Sequence, residues 1–134
     1  MPDDFVNLSA AIRRVCPECR LQTLSEPKLK AIRRVHPGVP EHYLAFLREV
    51  GWGSLGGSLM LYSGLITPDE VFDSETACGL TGLLFFGDNF SGDMAGFDTR
   101  HEWLIIQADH SGILLTHEGQ TMADLVAEWI AGWE

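Results

Sequence analysis

The sequence predicts an α+β fold: a twisted, mostly antiparallel sheet of about five or six strands, with N-terminal helices and a C-terminal helix packed on it. Three observations carry this. Helical periodicity runs through roughly the first fifty residues. Short apolar runs bounded by glycine fill the middle, and a strongly amphipathic segment closes the chain. The 134 residues are the size of one domain, 1–134, and 46% hydrophobic side chains supply one core.

Phe5, Leu8, Ile12 and Val15 recur at helical spacing, and Pro17 in Cys16-Pro17-Glu18-Cys19 breaks that helix. Ser25 is the expected N-cap of a second helix, which carries Leu29, Ile32 and His36 on one face and ends at Pro37-Gly38. A third helix starts near Pro40. Its Tyr43, Phe46, Leu47 and Val50 form one buried stripe, and Gly51 stops it. Four glycines between 51 and 57 predict a loop there.

Leu59–Tyr62 is then expected as a short strand, and Thr67-Pro68-Asp69-Glu70 as a capped helical turn. Strands follow at Leu83–Phe86, more weakly at Met94–Phe97, and at Trp103–Ile106, whose unbroken apolar character suggests a central position. Asp109-His110-Ser111-Gly112 has turn chemistry, so Ile113–Thr116 reads as a hairpin partner. Thr121 and Asp124 fit a cap. Met122, Leu125, Val126, Trp129, Ile130 and Trp133 mark the buried stripe of the last helix.

Charge is unevenly spread. Residues 1–48 hold eight Lys/Arg against five Asp/Glu, whereas 49–134 hold Arg100 against fourteen carboxylates; charges of +3 and −13 make up the net −10. Such a surface repels nucleic acid and anionic lipid and attracts basic partners, although acidic surfaces also serve solubility alone. No apolar stretch is long enough to span a bilayer, and the acidic Met1–Phe5 start is unlike a secretory signal, so the expected compartment is the cytoplasm. Three cysteines agree with that, since an odd, small number does not suggest a disulfide framework.

Two segments resemble a known signature. Val39-Pro40-Glu41-His42-Tyr43-Leu44-Ala45-Phe46-Leu47 followed by Gly51-Trp52-Gly53-Ser54-Leu55, and Phe86-Gly87-Asp88-Asn89-Phe90-Ser91-Gly92-Asp93 followed by Gly96-Phe97-Asp98, are similar in order to the SUKH superfamily, in its Smi/Knr-like branch. The motifs are short, and their order over roughly residues 25–134 carries the resemblance; Val39 stands for the usual Leu and His42 for the usual acid. The resemblance implies a sheet backed by helices. It makes Pro40, Tyr43, Phe46, Leu47, Gly51, Gly53, Gly92 and Phe97 structural. It also implies an immunity-type function, binding and neutralising a toxin domain of nuclease or deaminase class without catalysis. A non-toxin adaptor or regulatory domain is the alternative on the same fold.

Within that expectation the partner-binding candidates are Trp52, Asp88, Asn89, Asp93, Asp98 and Glu102. Asp93 and Asp98 are expected to bond turn amides. Asp88 and Glu102 are expected to meet a basic face. Trp52 is either an interface anchor or a cap on the core. The acidic spacing does not fit a calcium loop. Cys16, Cys19, His36 and His42 have near-zinc spacing, but Pro37, Gly38 and Pro40 split the histidines between helices, so no metal or cofactor is expected; a zinc or redox role for Cys16 and Cys19 is a minor alternative, and both are read as ordinary cysteines.

Overall fold

The structure is a computed structural model that describes residues 2–19, 21–56, 59–90, 92–109, 114–117 and 121–131. Three helices, α1 (Pro2–Val15), α2 (Glu26–Val35) and α3 (Glu41–Glu49), precede the sheet. The strands are β1 (Gly53–Leu55), β2 (Leu59–Ile66), β3 (Leu83–Asp88), β4 (Met94–Asp98), β5 (Leu104–Ala108) and β6 (Leu114–His117). A 3₁₀ turn (Pro68–Glu70) and α4 (Ser74–Cys78) lie between β2 and β3, and α5 (Met122–Ala131) follows β6. Each strand pairs antiparallel with the next, so the sheet is a meander in the order β1-β2-β3-β4-β5-β6. The α+β arrangement expected from sequence is the one observed. The turn at 110–113 and Trp133 lie outside the described residues.

Alternation along the strands sends side chains to two cores. Phe86, Ala95, Phe97 and Ile105 point into the larger one, where Leu29 of α2, Tyr43, Phe46 and Leu47 of α3, and Leu125 and Val126 of α5 meet them. Leu83, Phe85, Met94, Ile106 and Ala108 face the other way and form a smaller core with Leu80, against which Tyr62, Ile66 and Phe72 pack. Burial on both faces explains why the middle strands read as continuous apolar runs.

Four local expectations are corrected. The glycine-rich stretch contains β1 rather than only a loop. Gly51 and Gly53 adopt φ of 112° and 135°, which favour glycine. A Cβ on Gly51 would lie 2.5 Å from the Gln22 carbonyl oxygen. Glycine therefore permits a close approach here, and Gln22 and Trp52 exchange two backbone hydrogen bonds of 2.9 Å. Second, β2 continues through Ser63-Gly64 to Ile66, with a register shift between Leu61 and Ile66. Third, Trp103 does not begin β5: it sits in the preceding turn at φ 57°. Fourth, α4 was not anticipated; Asp73 caps it by accepting the Thr76 N–H at 2.8 Å. The predicted capped turn at Thr67–Glu70 is present as a capping box.

Cys16 and Cys19 are also not ordinary cysteines, because they form a disulfide. A tight turn at the exit of α1, closed by the Cys19 N–H on the Cys16 carbonyl at 3.1 Å, brings the two Cα atoms to 5.4 Å, within bridging range. Counting cysteines over the chain says nothing about such a local pair. Their sulfurs are thereby committed to each other, and the His42 ring nitrogen Nδ1 is occupied by the Met122 N–H. The four residues of the zinc-like spacing are not assembled as ligands. Among the described residues no helix is long and apolar enough to cross a membrane.

Candidate functional site

The six residues singled out from sequence do not share one surface. Asp88 ends β3 and Asn89 and Asp93 lie in the β3–β4 turn, whereas Asp98 ends β4 and Glu102 follows it, a strand length of about 15 Å away. In the first turn, the Asp88 carboxylate accepts the Phe90 N–H at 2.8 Å and the hydroxyl of Tyr62. Burial, and then the Asp88 carboxylate, push the Tyr62 phenol well above its ordinary range. The Asn89 amide donates to Asp93 Oδ2 at 2.9 Å, and the Asp93 N–H donates to Asn89 Oδ1 at 3.2 Å. These three side chains line a small cleft of about 290 Å³ with Gln107 and Trp129. Their bonds make the turn, and Phe90 at its tip takes φ 65°.

Asp98 is buried. One of its oxygens accepts the Arg100 N–H at 3.1 Å and the other lies 2.7 Å from His101 Nδ1. Glu102 is exposed, at φ 56°. Trp52 is half-buried and packs on the larger core. Pro40 caps α3. Tyr43, Phe46, Leu47 and Phe97 are core, and Gly92 takes φ 93° in the β3–β4 turn.

A cavity of about 930 Å³ lies at the Asp98 end of the sheet. Its apolar lining comes from Val35 and Pro37 after α2, Phe72 and Ala77 of the smaller core's cover, Leu84 of β3, and Trp103. Trp103 forms a wall. A Cβ on Gly38 would come within 2.8 Å of its Nε1, and its ring lies 6.2 Å from His36 and 5.7 Å from Phe97. Two consecutive non-glycine residues at positive φ, Glu102 and Trp103, set this position. The loop holding them is braced by Asp98 and by Thr99, whose hydroxyl donates to the Gly82 carbonyl at 2.6 Å.

One rim of the cleft is acidic. Asp69 and Asp73 line it, and Glu70 and Glu75 flank them in the same exposed segment. Three of these carboxylates are fixed by neutral donors of their own chain. Glu70 accepts the Thr67 N–H at 2.7 Å, Asp69 the Thr67 hydroxyl at 2.5 Å, and Asp73 the Thr76 N–H. That Thr76 N–H is the main reason why the Asp73 carboxyl is held below its usual range, with the Thr76 hydroxyl next. Hydrogen bonds from uncharged groups orient the carboxylates without cancelling their charge. The sequence reading marks Thr67–Glu70 as a capped helical turn and does not reach Asp73 or Glu75; the signal for the acidic rim is that no Lys or Arg occurs between 49 and 99.

The fold and this cleft define a class, a six-stranded meander covered by helices on one face and by a short acidic cap on the other. Comparison with family models, with curated proteins and with solved structures found no match.

Proposed function

We propose that the protein acts by stoichiometric binding of a basic protein partner, as an immunity-type protein that covers and neutralises a toxin domain of nuclease or deaminase class. The observation that carries this reading is the array of exposed carboxylates at Asp69, Glu70, Asp73 and Glu75, the first three held by hydrogen bonds, beside a largely apolar cleft, in a half-chain whose only Lys or Arg is Arg100. Preset negative charge raises the rate of encounter with a basic face and rejects acidic or polyanionic competitors, nucleic acid included. The SUKH-like motif order supports the immunity role in particular. Binding itself is the activity, and no bond is made or broken. A cytoplasmic location belongs to this proposal; the Cys16–Cys19 bond counts against it, because cytosolic thiols are normally kept reduced.

The test is co-expression with any toxin domain that a neighbouring gene encodes, followed by a pull-down and a survival assay. Protection together with a one-to-one complex is expected. Association should slow by roughly tenfold or more as salt screens the long-range attraction. Absence of both complex and protection defeats the reading.

A further inference from the structure

We infer that the cleft between the end of α2 and the acidic 67–78 segment is the docking groove for a partner polypeptide segment that carries an apolar side chain next to a Lys or Arg. This rests on the reading of the protein as a binder of basic partners, and it names where and how the partner enters.

Shape comes first. At about 930 Å³ the cleft is within the range of roughly 300–1,000 Å³ typical of ligand sites, and too large for one ion or water cluster. Apolar side chains, Val35, Phe72, Leu84 and Trp103 among them, supply most of its lining, beside polar ones such as Thr81 and Thr99. Val35 at its edge is 71% exposed, and Val71, 40% exposed, neighbours Phe72 in the opposite rim. Val35 is one of the four large hydrophobic side chains exposed among the described residues, and it lines the opening. An isolated exposed apolar residue needs no explanation, but one at the mouth of a cleft walled by Phe72, Leu84 and Trp103 is what an anchor side chain would cover.

Charge decides which occupant fits. Asp69 and Asp73 stand on one rim, extended by Glu70 and Glu75. The opposing cations are Arg100, whose side chain lies over Gly82, and Arg34, exposed beside Val35 in the last turn of α2. Arg33, near the end of α2, is ion-paired to Glu41. Four carboxylates, three of them held by hydrogen bonds, against Arg100 and Arg34 leave the groove net negative, so an apolar anchor flanked by a cation is complementary and one flanked by an acid is repelled. The paired positive φ values at Glu102 and Trp103 hold an aromatic wall against which such an anchor, or the cation itself, stacks.

Cys78 makes this directly measurable. It is exposed, it lines the cleft, and it is the free cysteine of the chain, so iodoacetamide without reductant modifies it while the disulfide stays closed. The probe is a short capped peptide with a central Leu-Trp between lysines. Controls carry glutamate for lysine, or serine for Leu-Trp. The lysine peptide is expected to slow Cys78 alkylation at least fivefold at saturation. Neither control should protect, and the D69N/D73N double variant, in which Asn can still cap α4, should lose most of the protection. The proposal is overturned if the glutamate peptide protects equally, if the double variant is protected as well as the parent chain, or if no peptide protects. It is overturned too if sedimentation shows that a second copy already fills the cleft, or if an uncharged apolar compound protects as well as the lysine peptide. A toxin complex in which Cys78 remains fully reactive rejects the groove and leaves the functional reading standing. Protection by the lysine peptide without any neutralised toxin keeps the groove and rejects that reading.

Discussion

The His42 ring nitrogen Nδ1 accepts the backbone N–H of Met122 at 3.1 Å, so a side chain of α3 caps the first turn of α5 across eighty residues. The first N–H groups of a helix have no intrahelical acceptor. An acceptor at Nδ1 requires a neutral ring with its proton on Nε2. Burial holds the His42 pKa below its ordinary value, and the Asp124 carboxylate opposes this more weakly. The folded pKa is therefore below the unfolded one, and the unfolded chain takes up the proton first. The stabilisation is complete above about pH 6.5 and declines as pH falls through that value, levelling off below the folded pKa. Urea titrations between about pH 7.5 and 5.5 should show the loss. His42→Asn, whose carbonyl accepts without titrating, should flatten that slope; an unchanged slope would refute the assignment.

Asp98 is buried, yet it does not need to face a partner to account for its charge. It accepts the Arg100 N–H and pairs with His101, and so it closes the turn that presents Glu102 and Trp103. Asp98→Ala should cost about 1–3 kcal/mol, because a turn amide loses its acceptor. The indole of Trp103 should become more exposed at the same time, which shows as a red shift of tryptophan emission. Asp98→Asn keeps an acceptor for Arg100 and should lose less. If Asp98→Ala unfolds at the parent denaturant midpoint, the brace is not there.

These two residues illustrate what was legible in the sequence. Periodicity marked α1, α2, α3 and α5, because each buries one stripe, and short apolar runs between glycines marked β3 to β6. The reading missed β1 because glycine signals loops locally, while here Gly51 serves the close approach of Gln22, thirty residues away in sequence. It missed α4 because five residues hold too few turns for a period to show. The acidic residues between 88 and 102 looked like one cluster on the chain, but β4 separates them in space. The cleft itself joins Val35, Phe72 and Trp103, whose spacing in sequence carries no local signal.

Gly96 and Gly64 separate two roles of glycine in the sheet. A Cβ on Gly96 would lie 2.2 Å from the Leu84 carbonyl oxygen and 2.7 Å from the Phe85 Cα, both of which are backbone and cannot step aside. Gly96→Ala must push β4 away from β3, and a loss of about 3 kcal/mol is expected. A Cβ on Gly64 meets nothing within 4 Å. Gly64→Ala should change stability by no more than about 0.5 kcal/mol. Thermal melts of the two variants side by side test the pairing register directly, and equal effects would contradict it.

Tyr43 poses the opposite problem, a polar group where none is needed. Its side chain is buried in the larger core, 5.5 Å from the Phe97 ring and 6.2 Å from that of Phe86. Its hydroxyl finds no hydrogen-bond partner among the described residues, and burial pushes its pKa far above the ordinary phenol range. Taking a hydroxyl from water without a replacement bond costs about 1–3 kcal/mol. Tyr43→Phe keeps both ring contacts and removes only that penalty, so it should raise the denaturant midpoint, corresponding to about 1 kcal/mol of added stability. A loss of similar size would mean that the hydroxyl is bonded in solution. Should Tyr43→Phe stabilise the fold yet weaken partner binding, the phenol is maintained for binding at the expense of stability, which melting and binding assays on the same variant would separate.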